Sequence, residues 1–234
     1  LQWIVNNWNK IKGEIDYIFK INQPLNGSNV YGIDTETTGL NPYTDKLLTV
    51  AIANPNNKTT VGYNINHPEV DIHFLSNDIV VNSNAVLIGH NIKFDIKVIE
   101  QASGLKVRNK VLDTSIAHAM IDENSVDNSL KALSSIYTNL GHYGDDINVK
   151  DLINEPFDKV IRYNQLDSIT PLLLMEKFHP ELKRQGLLPI FNFVCDMIPI
   201  FAEMEQLGTQ INMPKLLQLK QENETLKRDY ANLQ

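Results

Sequence analysis

Residues 30–42 read VYGIDTETTGLNP. Val30, Tyr31 and Ile33 favour extended backbone, and TGLNP supplies a polar turn that stops it. Asp34 and Glu36 stand two apart at the end of this strand, so period-2 alternation points both carboxylates to one side of the sheet. Like charges held together there repel unless a cation sits between them. Taken alone, the stretch reads equally well as a strand running into a turn.

Working outward, KLLTVAIA (46–53) and KTTVGYNI (58–65) are further β-like runs, punctuated by NPYTD and NPNN, and three strands in meander order is the simplest reading. AVLIGHN (85–91) reads as a buried strand, with Asn91 placed to cap a helix through IKFDIKVIEQ. KVLD (110–113) is another short strand. Helical patterns follow at TSIAHAMI, at NSLKALSSIY and from about residue 157 to 177. Strands, a strand-helix-strand unit and then helices predict an α/β domain whose mixed sheet is flanked by helices.

Residues 1–29 carry Trp3, Ile4, Trp8, Ile11, Ile15 and Ile18 near one helical face, before a break at Pro24 and Asn26–Ser28. This predicts an N-terminal helical segment, followed by a main domain over 30–182. From 183 to 234 two more helical patterns flank LGTQINMP, the last of them highly charged with sparse apolar positions. Such a helix is expected to pack on another part of a longer polypeptide or on a partner.

With 234 residues and 42% hydrophobic content, the chain can bury one sizeable core. No apolar run approaches the ~20 residues of a membrane span and no signal peptide is visible, so a soluble protein of the cytoplasm is expected. The single cysteine, Cys195, excludes an intrachain disulfide and a thiolate zinc cluster, and its setting in FNFVCDMIPIF marks it as a core residue. A net charge of −7 argues against a general coat for nucleic acid, but not against a small site where metal ions supply the positive charge.

Two further motifs join DTET. In GHNIKFD, Asp95 lies one turn into a helix, where the helix dipole alone would favour an acid. In YNQLD, Tyr163 and Asp167 are four apart and share a helix face. Each is weak alone; the signal lies in their order and context.

Together, DTET (34–37), HNIKFD (90–95) and YNQLD (163–167) resemble the motifs of the DEDD superfamily of 3′-5′ exonucleases, specifically the tyrosine branch that proofreads for family A DNA polymerases. The histidine branch places its base five residues before the last Asp, whereas position 162 here is Arg and Tyr163 lies four before. The resemblance covers about residues 30–180, and LLPIFNFVCDMIPIFAEMEQLGTQIN (187–212) resembles the family's helical connector toward a polymerase thumb. It implies a ribonuclease H-like fold and two Mg²⁺ or Mn²⁺ ions. Asp34, Glu36 and Asp167 would bind the first ion and Asp34 and Asp95 the second. Tyr163 and Glu36 would orient the attacking water and help remove its proton, orientation weighing more because a phenol with an ordinary pKa near ~10 is a poor base at neutral pH.

The resemblance also implies that Thr37 and Asn91 contact the terminal nucleotide and that Leu40 wedges against its base; as a plain residue, Leu40 reads as a buried turn position. Phe94 stands among the substrate contacts where the family often has tyrosine, and His90 at a position that varies. The implied partners are a single-stranded DNA 3′ end and a DNA polymerase, fused or separate, with a bacteriophage as a candidate source. An RNA-trimming exonuclease and a catalytically silent domain of the same fold are the alternatives. Asp113 reads as an ordinary helix N-cap. His67, His73, His118, His142 and His179 are too scattered for a zinc site. GHYGDD (141–146) reads as a loop and a candidate to lie over the site.

Overall fold

The strand holding Asp34 and Glu36, β1 (Val30–Thr37), sits at the centre of a five-stranded sheet in the computed structural model, which describes residues 30–54, 59–64 and 85–231. β2 (Leu47–Asn54) and β3 (Thr59–Asn64) follow as the expected antiparallel meander. β4 (Val86–Gly89) and β5 (Lys110–Asp113) run parallel to β1 and complete the order β3-β2-β1-β4-β5. Parallel neighbours need a crossover, and α1 (Lys93–Ser103) supplies it between β4 and β5. The expected N-terminal helical segment, with Trp3 and Trp8, lies outside the described residues, as do His67 and His73.

Alternation along β1 turns Gly32, Asp34 and Glu36 to one face of the sheet and Ile33 and Thr35 to the other. On the Gly32 face lies α4 (Phe157–Arg184), buried at every position from Asn164 to Met175 because it is sandwiched between the sheet and two shorter helices, α2 (Thr114–Ile121) and α3 (Leu130–Tyr137). The approach is close. A Cβ at Gly32 would fall 2.0 Å from the carbonyl oxygen of Ser168 and 3.0 Å from Leu172 Cγ. The absent side chain lets α4 lie on β1.

The expected end of this helix near residue 177 is overrun to Arg184, through Pro180. Phe178 and Leu182, both buried in the main core, hold the backbone helical past the proline. In α5 (Leu188–Leu207), Phe191, Cys195, Ile198 and Ala202 form a buried stripe that joins the same core, which gives Cys195 its expected place. The first compact unit runs to Glu203; residues 204–234 form a second, holding α6 (Met213–Ala231), in which no residue is buried. No helix among the described residues is long and apolar enough to cross a membrane.

Candidate active site

Strand β1 and helix α4 bring three carboxylates together. Ligand oxygens of Asp34, Glu36 and Asp167 all lie within 4.8 Å of one another. A register shift of the β1–β2 ladder between Glu36 and Thr37 ends regular pairing just beside them, as bulges at sheet rims often do next to sites. Burial raises the pKa of Asp34 well above the usual carboxylate range, and the charges of Asp167, Asp95 and Glu36 raise it further. Glu36 shifts the same way, through burial first and then Asp167. The cluster is a concentration of negative charge that the fold alone leaves expensive.

Asp95 reaches this strand from the opposite face. Its Oδ1 accepts from the Thr35 amide at 2.9 Å and from the Thr35 hydroxyl at 2.6 Å. It is not one of the three mutually adjacent carboxylates, but its charge acts on both Asp34 and Glu36. Burial raises its own pKa to about 7 against the lowering effect of the Thr35 bonds.

The start of α1 differs from the sequence expectation. Asn91 does not cap the helix with its side chain: the cap position is Ile92, without a side-chain bond, and Asn91 sits exposed in left-handed backbone at φ 58°. Asp113 orders the turn from 21 and 22 residues away, accepting from the amides of Ile92 and Asn91, both at 3.0 Å. The same carboxylate accepts from Ser115 N at 2.8 Å and so caps α2, the role read from sequence. A propensity for capping is local, and here a distant acid meets the same backbone donors.

Tyr163 and Asp167 share the α4 face turned to the cluster, and three residues that the sequence reading missed surround them. Asn164 donates to Asp34 Oδ2 at 2.6 Å. Tyr143, in the GHYGDD loop, donates to Asp167 Oδ1 at 2.6 Å, so this loop does lie at the site. Lys131 of α3 forms an ion pair with the same Asp167 oxygen. Its ammonium lies 4.2 Å from the ring centroids of both Tyr143 and Tyr163. The Tyr163 phenol is pushed up by burial and then by Asp167, Glu36 and Asp34, so it stays protonated.

The remaining candidates sit at the margin. Leu40 is 88% exposed at the tip of the loop after β1, which rules out its reading as a buried turn residue. The Thr37 hydroxyl is turned inward to the Gly39 carbonyl. Phe94 is half-buried and packs against the main core. His90 bonds through Nδ1 to the Thr114 hydroxyl at 3.0 Å. His118 is enclosed by Asn128, Tyr137 and Phe178, which makes it a structural residue.

The donor set suits a divalent cation. Asp34, Glu36 and Asp167 offer hard oxygens, and each of the two aspartates has one oxygen held by an Asn164, Tyr143 or Lys131 bond, the kind of outer contact that orients metal-binding carboxylates. The raised pKa values of Asp34 and Glu36 are what a site built for added positive charge shows before that charge arrives.

A central mixed sheet with helices on both faces, and acidic residues converging at the end of its middle strand, is the ribonuclease H-like architecture of exonucleases. The chain belongs to the 3′-5′ exonuclease family associated with family A DNA polymerases, whose model matches residues 16–183. It is 25% identical over 197 residues to the DNA polymerase DpoZ of Acinetobacter phage SH-Ab 15497, covering 77% of this chain and 31% of that protein. The chain thus spans about a third of this relative's length. Among solved structures, Brucella melitensis NrnC with bound Mg²⁺ is similar at TM-score 0.66 and 22% identity, covering 82% of this chain and 93% of that one. The POL domain of Pol1 from M. smegmatis, in complex with DNA primer-template and dNTP, is similar at TM-score 0.68 and 17% identity, over 93% of this chain and 35% of that one.

Proposed function

We propose that the chain hydrolyses the terminal phosphodiester bond at the 3′ end of a single-stranded or frayed DNA strand, releasing one nucleoside monophosphate per cycle. The observation that carries this reading is the meeting of Asp34, Glu36 and Asp167 within 4.8 Å from a strand and a helix far apart in sequence. Asp34, Glu36 and Asp167 would hold one divalent ion, and Asp34 with Asp95 a second; Mg²⁺ or Mn²⁺ suits these oxygens. Bound there, such ions supply positive charge that acidifies water and stabilises the departing 3′ oxygen. The Mg²⁺-bound relative supports this assignment.

The chain's own groups do the positioning. Tyr163, kept protonated, donates a hydrogen bond that orients the attacking water instead of removing its proton. Glu36 accepts from that water on its other side. Leu40, exposed on the loop after β1, is suited to wedge against the terminal base, with Asn91, Thr37 and Phe94 as further contacts to the nucleotide. The natural setting is proofreading beside a DNA polymerase, in cis or as a separate chain, in the cytoplasm of a phage-infected host. The match to about a third of a phage polymerase and to part of a Pol1 chain supports it.

Mononucleotide release from labelled single-stranded DNA in Mg²⁺, by the wild-type chain and by an Asp34→Ala, Glu36→Ala variant, tests the site. Release should fall to background in the variant. Equal activity would show that the reacting groups lie elsewhere, and a clear preference for RNA ends over matched DNA ends would overturn the DNA assignment.

A further inference from the structure

Lys131 is a cation at the wrong end of its helix. It is the second residue of α3, where the partial positive charge of the helix N-terminus disfavours an ammonium, and Ser129 already caps the amide of Ala132. Its neighbours Leu130, Leu133 and Ser134 are buried, and the Lys131 side chain is itself only 19% exposed. What holds it there is on the other side: the Asp167 carboxylate and the faces of two tyrosines, each centroid at 4.2 Å and so well within the ~6 Å reach of a cation–π contact. The two rings meet edge to face at 6.4 Å. The loop closes on the same ring, since a Cβ at Gly144 would lie 2.6 Å from Tyr163 Cε2. Among the contacts described, Lys131 is the one group that touches the loop tyrosine, the α4 tyrosine and the α4 aspartate together.

We propose that Lys131 is a positioning residue for the hydrolytic step, its ammonium packed on the Tyr163 ring beside the Gly144 backbone so that the phenol points at the carboxylate cluster. The inference rests on the exonuclease reading above. Both Tyr143 and Lys131 hold the Asp167 carboxylate, and the Lys131 ammonium adds a charged contact to the face of the Tyr163 ring. Removing the charge leaves Asp167 its Tyr143 bond and frees the phenol to turn.

The test is a double-mutant cycle with Lys131→Met and Tyr163→Phe, read by single-turnover hydrolysis of labelled single-stranded DNA, with Mn²⁺ binding measured by titration calorimetry without substrate. Lys131→Met should lower kcat by about tenfold or more with KM changed less than about threefold, and should cost less than about threefold in the Tyr163→Phe background. Lys131→Arg, which keeps the cation on the rings, should recover most of the loss. Because the Tyr143 bond to Asp167 remains, Mn²⁺ affinity should not fall by more than about threefold and Tm should hold, whereas a merely structural role would weaken metal binding and lower Tm along with kcat. Equal losses in both backgrounds, a loss confined to KM, or wild-type behaviour of Lys131→Met would each overturn the inference alone. A wild-type chain that releases no mononucleotide overturns the exonuclease reading with it.

Discussion

Substituting Gly32 by alanine probes the contact on which the whole site depends. A methyl group there would sit 2.0 Å from the Ser168 carbonyl oxygen, and ordinary contact begins at 3.4 Å, so strand and helix must part by roughly 1.4 Å along that line. The obstacle is backbone in the middle of a helix buried on all sides, not the far end of a flexible side chain, so no rotamer change relieves it. Overpacking of this kind costs about 1–3 kcal/mol of stability. Asp167 immediately precedes Ser168, and Asp34 lies two residues along the same face of β1, so the displacement passes directly into the separation of the two carboxylates. A misplacement of about 1 Å is enough to cost ~10²-fold in rate. Gly32→Ala should therefore lose stability in urea denaturation by that modest amount, while mononucleotide release in Mg²⁺, assayed well below Tm, drops about a hundredfold. Retention of both wild-type Tm and turnover within about twofold would show that α4 does not rest on Gly32 and that the geometry of the site is set some other way.

Two further outcomes follow from the charge and exposure of the site. Asp34, Glu36 and Asp95 all hold protons more tightly in the fold than in the unfolded chain, Asp95 with a pKa of about 7. At these three carboxylates the native state binds more protons than the unfolded state above pH ~4, which outweighs the opposite effect of His90 and His179, both lowered by burial, so in chelator Tm should fall as pH rises from about 4 to about 7, and Mn²⁺ should restore it at neutral pH by binding the native state. A rising Tm across that range in EDTA would contradict the burial of these carboxylates. Leu40→Ala should raise KM for single-stranded DNA several-fold and leave urea stability within about 0.5 kcal/mol, because the side chain is exposed; an unchanged KM would remove Leu40 from the substrate path.

The parts of the molecule legible in the sequence are those fixed by short-range periodicity. Alternation along VYGIDTET places Asp34 and Glu36 together, and helical spacing places Tyr163 and Asp167 together, without any knowledge of the rest of the chain. The contacts that orient these groups are long-range and leave no such trace. Lys131 lies 36 residues from Asp167, Tyr143 24 residues, and Asn164 130 residues from Asp34. Asn91 shows the converse error, a residue with the right local chemistry for a cap whose role is taken by Asp113 from the next strand. Gly32 reads simply as a strand residue until α4 is laid upon it. One signal was available: a lysine in the first turn of NSLKALSSIY runs against the helix dipole, and that misfit needs a partner elsewhere.

Under the proposed function, rigidity divides chemistry from recognition. Asp34 and Glu36 come from the central strand of the sheet and Asn164 and Asp167 from the buried stretch of α4, so their mutual placement is fixed by the core itself, while Tyr163 at the edge of that stretch leans on Lys131. Asp95 enters from the other face through Thr35, and the cluster thus grips the end of β1 from both sides. Leu40 and Asn91, by contrast, stand exposed on the turns after β1 and β4. A site built this way can keep one hydrolytic geometry while its turns change which strand end is admitted. Substitutions at Leu40 and Asn91 should therefore shift the ratio of DNA to RNA end cleavage without moving Mn²⁺ affinity, and an unchanged ratio would refute this division.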